Sequence, residues 1–388
     1  MQLFDDIRRT DSRLGKRSES LFAFLNRVDR PEFARVRELM EAWFARYSAD
    51  SHMDIRERFR DADPHQALGA FWELVLHELH LGLGYALERD PAVPETTKRP
   101  DFLATRGDVD FYLEGTIIGY SDDEMARRRR RDLVLDFVDE AFSPDFWVNI
   151  KVPVEGQTTP SKDQIKKPIE DWLGSLQWTD GQASLDSAPE FELRVRDWVL
   201  RFRAYPRAES LRGDPDFPTI GMGPTWVGTV DERAPIEKSL RDKASRYGKP
   251  HKPYVVAALC LRDFVTDQSI QEALYGPHTL RMPIVGGVAQ PTRAEVVRDP
   301  HGLWQWGQDQ RATRVSAVLS ANHLNPWLIA SAKLTLWKNP WATRPLEQDL
   351  PWKTVSGDLH ANELVVSEAT LEPREILGLP EGWPYEAT

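Results

Sequence analysis

Apolar positions recur along the chain at two periods, and the change from one to the other marks its organisation. Over residues 1 to about 60, Phe22, Phe24, Leu25, Val36, Leu39, Met40, Trp43 and Phe44 lie at helical spacing among many arginines and glutamates. That predicts an N-terminal helical layer. A stronger helix follows over Ala67–Gly84, where Leu68, Phe71, Trp72, Val75, Leu76, Leu79 and Leu83 share one face and Gly84 suits a C-cap. Its polar stripe is narrow: Gln66, Glu73, His77 and His80. Three strand-like segments come next, Tyr85–Arg89, Asp101–Arg106 and Asp110–Gly119, the last two joined across Gly107-Asp108.

Ser121 and Glu124 form a serine-x-x-glutamate capping box opening a helix that carries the run Arg127–Arg131 and ends near Phe142. Beyond it the pattern predicts a strand at Phe146–Val152, a helix at Ser161–Leu176, and a strand pair within Phe191–Tyr205. A glycine- and proline-rich loop over Ala208–Thr229 holds a short strand near Thr225–Val230. Asp231 can cap a helix through Tyr247, which leads into the buried strand Tyr254–Leu261. Strand, crossover helix and strand imply an α/β sheet with helices on both faces. Further on, Asn325-Pro326-Trp327 and Asn339-Pro340-Trp341 read as two turns flanking a strand at Ile329–Trp337, too few for a repeat architecture.

At 388 residues the chain has room for one large elaborated domain or two. No apolar run approaches bilayer length and the N-terminus lacks signal-peptide order, so a soluble, cytoplasmic protein without a membrane partner is expected. The lone Cys260 excludes an intrachain disulfide framework and reads as core filling. A net charge of −11 argues against a nucleic-acid partner. From Ala342 onward, however, nine acidic residues face three basic ones, so −6 of that charge sits in the last 47 residues. Local basic surfaces remain available. Arg127, Arg128 and Arg131 within the arginine run are one, though five successive arginines on a helix point in several directions and read first as a solvated helix face. Six of the fourteen tryptophans, Trp304, Trp306, Trp327, Trp337, Trp341 and Trp352, concentrate near the C-terminus, where core packing or an interface is favoured over base stacking.

Candidate chemistry centres on Pro100-Asp101 and on Glu114 in Phe111-Tyr112-Leu113-Glu114-Gly115-Thr116. Two carboxylates on neighbouring strands can hold Mg²⁺ or Mn²⁺, which activates water against a phosphodiester. Other constellations are weaker. His77 and His80 are three apart, whereas the metalloprotease helix needs four. Gly221-Met222-Gly223-Pro224 lacks the lysine of a phosphate loop, and no serine lies in a nucleophile elbow.

The order helix, three-stranded meander, helix, buried strand, together with Pro100-Asp101 and Glu114-Gly115-Thr116, resembles the core of the PD-(D/E)XK nuclease superfamily, the restriction-endonuclease-like fold. The resemblance covers residues 67 to 120 and, more loosely, 231 to 261. The segment also looks like a group of uncharacterised bacterial proteins associated with that superfamily. It implies an α/β core at 67–261 with an insertion at about 144–230, preceded by the helical layer 1–66 and followed by a tryptophan-rich region at 262–388. It implies metal binding by Asp101, Glu114 and the carbonyl of Gly115, with Glu73 on the first helix as a further acid. Expected partners are nucleic acid, DNA in the first place, gripped by the arginine run and by Lys249 and Lys252; a homodimer is compatible. The family's lysine is replaced here by Thr116. Lys243, on the inward stripe of its helix with Ile236, Leu240 and Tyr247, is the candidate substitute, with Lys151 second. The resemblance therefore leaves two outcomes open: a Mg²⁺-dependent endonuclease, or a nuclease-like fold that has lost catalysis and serves as a nucleic-acid-binding or protein-interaction module. A structural partner that uses the C-terminal tryptophans is a third class.

Overall fold

Four helices precede the first strand: α1 (Leu21–Arg27), α2 (Pro31–Arg46), α3 (His52–Arg60) and α4 (Pro64–Gly82). In the computed structural model the described residues are all but 178–187, 215–216, 223–230, 286–287, 306–309, 361–362 and 387–388. The short strand expected near Thr225–Val230, the Gly223-Pro224 end of the glycine-rich turn and Trp306 therefore lie outside the described residues. The protein is mixed α/β, and the chain divides into two units. One comprises Met1–Asp11, Ser20–Gly119 and Val230–Thr388; the other comprises Ser12–Glu19 and Tyr120–Thr229.

The first unit is built on an eight-stranded mixed sheet whose spatial order follows the chain: β1 (Ala86–Arg89), β2 (Phe102–Arg106), β3 (Val109–Ile118), β4 (Tyr254–Cys260), β5 (Ala317–Asn322), β6 (Leu334–Lys338), β7 (Lys353–Asp358) and β8 (Glu363–Ser367). The meander β1–β2–β3 is antiparallel, and β3, β4 and β5 run parallel. Parallel neighbours need a crossover, and α5 (Arg233–Ala244) precedes β4 while α6 (Asp267–Tyr275) follows it. Being flanked on both edges and both faces explains why all seven residues of β4 are buried and apolar.

Alternation along β3 assigns its two faces. Phe111 and Leu113 join the core formed by α1–α4, where Phe71, Trp72, Leu76 and Leu79 of α4 are buried. Tyr112 and Ile118 join the opposite core with Ile236, Leu240 and Tyr247. Each fully buried large side chain contributes about 1.5–3 kcal/mol. The indole nitrogen of Trp72 donates to the carbonyl of Ala257 at 2.9 Å, which ties α4 to the central strand. Asp63 caps α4 by accepting from the His65 amide at 3.0 Å.

The C-terminal region expected as a separate block at 262–388 continues the same sheet instead, because Leu319, Leu334 and Leu336 enter the core that α4 covers. The helical layer belongs to that core too, through Phe24, Val36, Trp43 and Phe44. The strand expected over Ile329–Trp337 is shorter: Ile329–Ser331 forms a 3₁₀ turn, and pairing begins at Leu334. Both Asn-Pro-Trp segments are turns. The side chain of Asn325 accepts from the Trp327 amide, and that of Asn339 from the Trp341 amide. Trp304, Trp337 and Trp352 are buried in the cores. So is Cys260, whose thiol burial pushes up to about 12. Among the described residues, no helix is long and apolar enough to cross a membrane.

The second unit has its own four-stranded sheet, in the spatial order Glu190–Val195, Trp198–Pro206, Phe146–Val154, Ile220–Met222. Helices Asp122–Asp139 and Lys162–Ser175 close its core, with Val134, Val138, Ile165 and Ile169 among Val148, Ile150, Leu200 and Phe202. The insertion expected at about 144–230 thus begins earlier, near Tyr120, because the helix carrying the arginine run lends its apolar side to this core.

Candidate functional site

Asp101 stands one residue before β2, whose first pair with β3 is Phe102 opposite Leu113. The register therefore sets Asp101 beside Glu114 where the ladder ends. In place of a further ladder bond, the Gly115 amide donates to Asp101 Oδ2 at 2.7 Å. Gly115 is needed for that approach: a Cβ there would lie 3.2 Å from the same oxygen, 3.4 Å from Leu76 Cδ1 and 3.5 Å from Trp72 Cδ1.

Glu114 is buried on the α5 side of β3. Lys243 Nζ donates to its Oε1 at 2.7 Å and Arg246 Nη1 to the same oxygen at 3.1 Å, while the Tyr247 hydroxyl donates to Oε2. Helical spacing puts Lys243 on the same stripe as Ile236 and Leu240, in the last turn of α5, and so aims it at the sheet. Burial, then the charge of Glu114 and its hydrogen bond, push the Tyr247 hydroxyl up, so it stays a donor. The start of α5 is fixed by Asp231, which accepts from the Arg233 amide at 3.0 Å.

On the α4 side, Glu73 is also buried. The Tyr47 hydroxyl donates to its Oε1, Arg58 Nη2 donates to Oε2 at 2.5 Å, and Arg89 Nη2 lies 3.3 Å from Oε1. Arg58, Trp72, Glu73, Asp101, Glu114, Gly115, Thr116, Lys243 and Arg246 line one cleft of about 250 Å³. Three carboxylates and three cations converge there. Burial, and then the neighbouring charges of Glu114 and Glu73, push Asp101 well above the usual carboxylate range, while the Gly115 amide and Lys243 pull the other way. A cation bound between these acids would relieve that crowding.

The donor set fits a hard, oxygen-seeking ion such as Mg²⁺. Asp101 has one oxygen pinned by Gly115, and Glu114 Oε2 accepts from Tyr247 while retaining a second acceptor direction. Among the described residues, no group of three His, Cys, Asp or Glu side chains forms a ready-made cage. An ion would therefore take two carboxylates and complete its shell with main-chain and water oxygens, which is how Mg²⁺ is usually held.

The cleft brings together Glu73, Asp101, Glu114, Gly115, Thr116 and Lys243. The other sequence candidates lie elsewhere. Lys252 is bound to Asp110, four residues before Glu114 on β3 and so about 13 Å along the strand. Lys249 is exposed and is not part of the cleft lining. In the second unit, Arg127 and Arg131 are both ion-paired with Glu155, and Arg128 lies over the Tyr120 ring, 4.8 Å from its centroid. Lys151 belongs to that unit's sheet.

His77 and His80 are not a metal pair. His77 Nδ1 lies 3.0 Å from Glu78 Oε1, and His80 Nδ1 donates to the Leu76 carbonyl at 2.7 Å. Four cleft partners escaped the sequence reading: Arg58, Tyr47, Arg246 and the hydroxyl of Tyr247. Arg246 carries a usable signal, three residues after Lys243 and so on the same helical side. No family model, curated protein or solved structure matches the chain.

Proposed function

We propose that this chain is a metal-dependent phosphodiester hydrolase acting on nucleic acid, DNA in the first place, with α4, β1–β3, α5 and β4 as a restriction-endonuclease-like core. The observation that carries the reading is the contact of Lys243 Nζ with Glu114 Oε1 at 2.7 Å, inside the cleft that Asp101 shares. A strand-borne acid, a second acid at the end of the adjoining strand and a lysine within hydrogen-bond reach are the groups such hydrolysis needs. The lysine comes from α5, and Thr116 occupies the strand position where the family carries it.

Asp101, Glu114 and the main-chain oxygen of Gly115 would hold Mg²⁺ or Mn²⁺. When bound, the ion would supply Lewis-acid polarisation of a phosphoryl oxygen and make water more acidic. Lys243 pairs with Glu114 and offers its ammonium to the attacking water and to the charge that develops on phosphorus. Arg246 and Arg58 face the same cleft from opposite sides and offer donors to phosphate oxygens. Glu73 fixes Arg58, and Thr116 adds a hydroxyl to the lining.

One observation favours a second reading. Glu114 already accepts from Lys243, Arg246 and Tyr247, so this acid has its partners without an ion. A nucleic-acid-binding module without hydrolysis accommodates that arrangement. Incubation with single- and double-stranded DNA and RNA in Mg²⁺ or Mn²⁺, beside Glu114→Gln, separates the two. Cleavage lost in the variant supports the hydrolase; binding without cleavage supports the module; equal cleavage by both proteins sinks the site assignment.

A further inference from the structure

On the other side of the last turn of α5 lies a groove of about 400 Å³, lined by Arg241, Ala244 and Ser245 of that helix region and by Leu303 and the segment Arg311–Arg314. Among the described residues, three arginines line it and no acidic side chain does. Arg241 has its own partner, Glu237, one turn back on α5. Arg311 and Arg314 are exposed, and neither is in an ion pair among the described residues.

The Arg311–Arg314 segment is held in place rather than loose. Ala312 has a φ of 49°, a left-handed conformation that costs a non-glycine residue strain unless its surroundings enforce it. They do so here. The side-chain amide of Asn339, from the second Asn-Pro-Trp turn, donates to the carbonyls of Ala312 at 3.4 Å and Val315 at 2.8 Å. The Thr343 amide donates to the Thr313 carbonyl at 2.7 Å. Two cations with no ion pair among the described residues thus stand on an anchored turn, beside a third.

Lys243 and Arg246 line the cleft, whereas Ala244 and Ser245 line the groove, so the two openings share one turn of α5. A helix with its side chains is about 10 Å across. A polynucleotide strand spans that distance in a few nucleotide steps. We propose that the groove is a second phosphate subsite of the cleft, which takes the backbone of a single polynucleotide strand a few nucleotides from the phosphate at Asp101 and Glu114.

This inference rests on the hydrolase reading for its cleft, and the experiment keeps the two apart. Arg311→Ala/Arg314→Ala is compared with the wild type and with Arg281→Ala/Arg194→Ala, which removes the same charge at exposed positions elsewhere. Binding of a fluorescent single-stranded oligonucleotide is measured by anisotropy in EDTA across a salt series. Hydrolysis of bis(4-nitrophenyl) phosphate in Mn²⁺ is followed in parallel. The groove variant is expected to lose about ten-fold in affinity near 0.1 M salt and to flatten the log–log salt slope by about 1.4. Its hydrolysis of the small diester should be unchanged.

Unchanged affinity, or an equal loss in the control pair, overturns the groove. Loss confined to the groove variant of a protein that does not hydrolyse the diester supports the groove and counts against the hydrolase. A wild type that does not bind the oligonucleotide overturns the groove outright.

Discussion

Lys243 reaches Glu114 across 129 positions of sequence and binds its Oε1 at 2.7 Å. The contact joins a helix end to the middle of a strand that has no local reason to carry a buried acid. Lys243, Arg246 and Tyr247 all donate to Glu114, and removing one donor leaves two. Lys243→Ala should therefore cost stability only modestly, about 1–3 kcal/mol, while hydrolysis falls by about 100-fold or more, the scale expected for a lost electrostatic stabiliser. Chemical denaturation and a nuclease assay measure the two together. Full activity in Lys243→Ala would remove the lysine from the chemistry.

Asp101 makes a prediction of opposite sign for stability and function. Its pKa is raised in the folded state by burial and by Glu114 and Glu73. The native state then binds a proton more readily than the unfolded chain, so this residue's contribution to stability falls as pH rises from the unfolded carboxylate value through the raised one. Asp101→Asn keeps an oxygen to accept the Gly115 amide and removes the penalty. At pH 7 to 8 the variant should melt at least about 2 °C above the wild type. Mg²⁺ or Mn²⁺ should raise the melting temperature of the wild type and leave that of the variant unmoved. Calorimetry with and without the metal reads both effects, and equal stabilisation of the two proteins by Mn²⁺ would show that Asp101 is not a ligand.

The acids of the cleft are legible in sequence, and most of what holds them is not. Glu114 stands out as a charge inside an apolar strand, Asp101 because the hairpin register sets it alongside, and Lys243 because helical spacing points it inward. Tyr247 shares that stripe, but periodicity reads it as apolar, and only the fold reveals its hydroxyl as a donor. Tyr47 and Arg58 sit on the N-terminal layer, where nothing local links them to Glu73; the link is the packing of that layer on α4. Similar reasoning covers the C-terminal strands. β6 and β7 have five and six residues, too short for alternation to reveal that they extend a sheet begun more than two hundred residues earlier. The arginine run was conspicuous in sequence, yet Glu155 pairs with two of its members.

Gly115 gives a test of positioning that keeps every charged group in place. Its missing Cβ would press on Asp101 Oδ2 at 3.2 Å and touch Leu76 and Trp72. Gly115→Ala should push the carboxylate off its amide donor and cost about 1–3 kcal/mol, the usual range for overpacking. Because Leu76 and Trp72 are themselves fixed in the core, the carboxylate is the part that yields, and metal affinity should suffer more than folding. Mn²⁺ titration alongside denaturant unfolding distinguishes this from general destabilisation. A variant with wild-type metal affinity and reduced stability would assign Gly115 to packing alone.

His80 predicts an acid limb of stability unrelated to the cleft. It is fully buried on α4, with rings of Tyr85 and Phe111 against it, and its Nδ1 donates to Leu76 while Nε2 has no partner among the described residues. Burial lowers its pKa to about 4; the nearby His77 acts in the same direction, and the Leu76 bond acts against it. In the unfolded chain the group titrates near 6.5, so between those values the unfolded state holds more protons. Stability then rises with pH across that window and is lost as pH falls from about 6.5 to about 4. One such group is worth about 3 kcal/mol over the whole window. Denaturant midpoints measured from pH 4 to 7 should fall on the acid side for the wild type, and His80→Leu should flatten the curve while lowering or raising its plateau by repacking. A curve of unchanged slope in that variant would show that His80 is not the group being protonated.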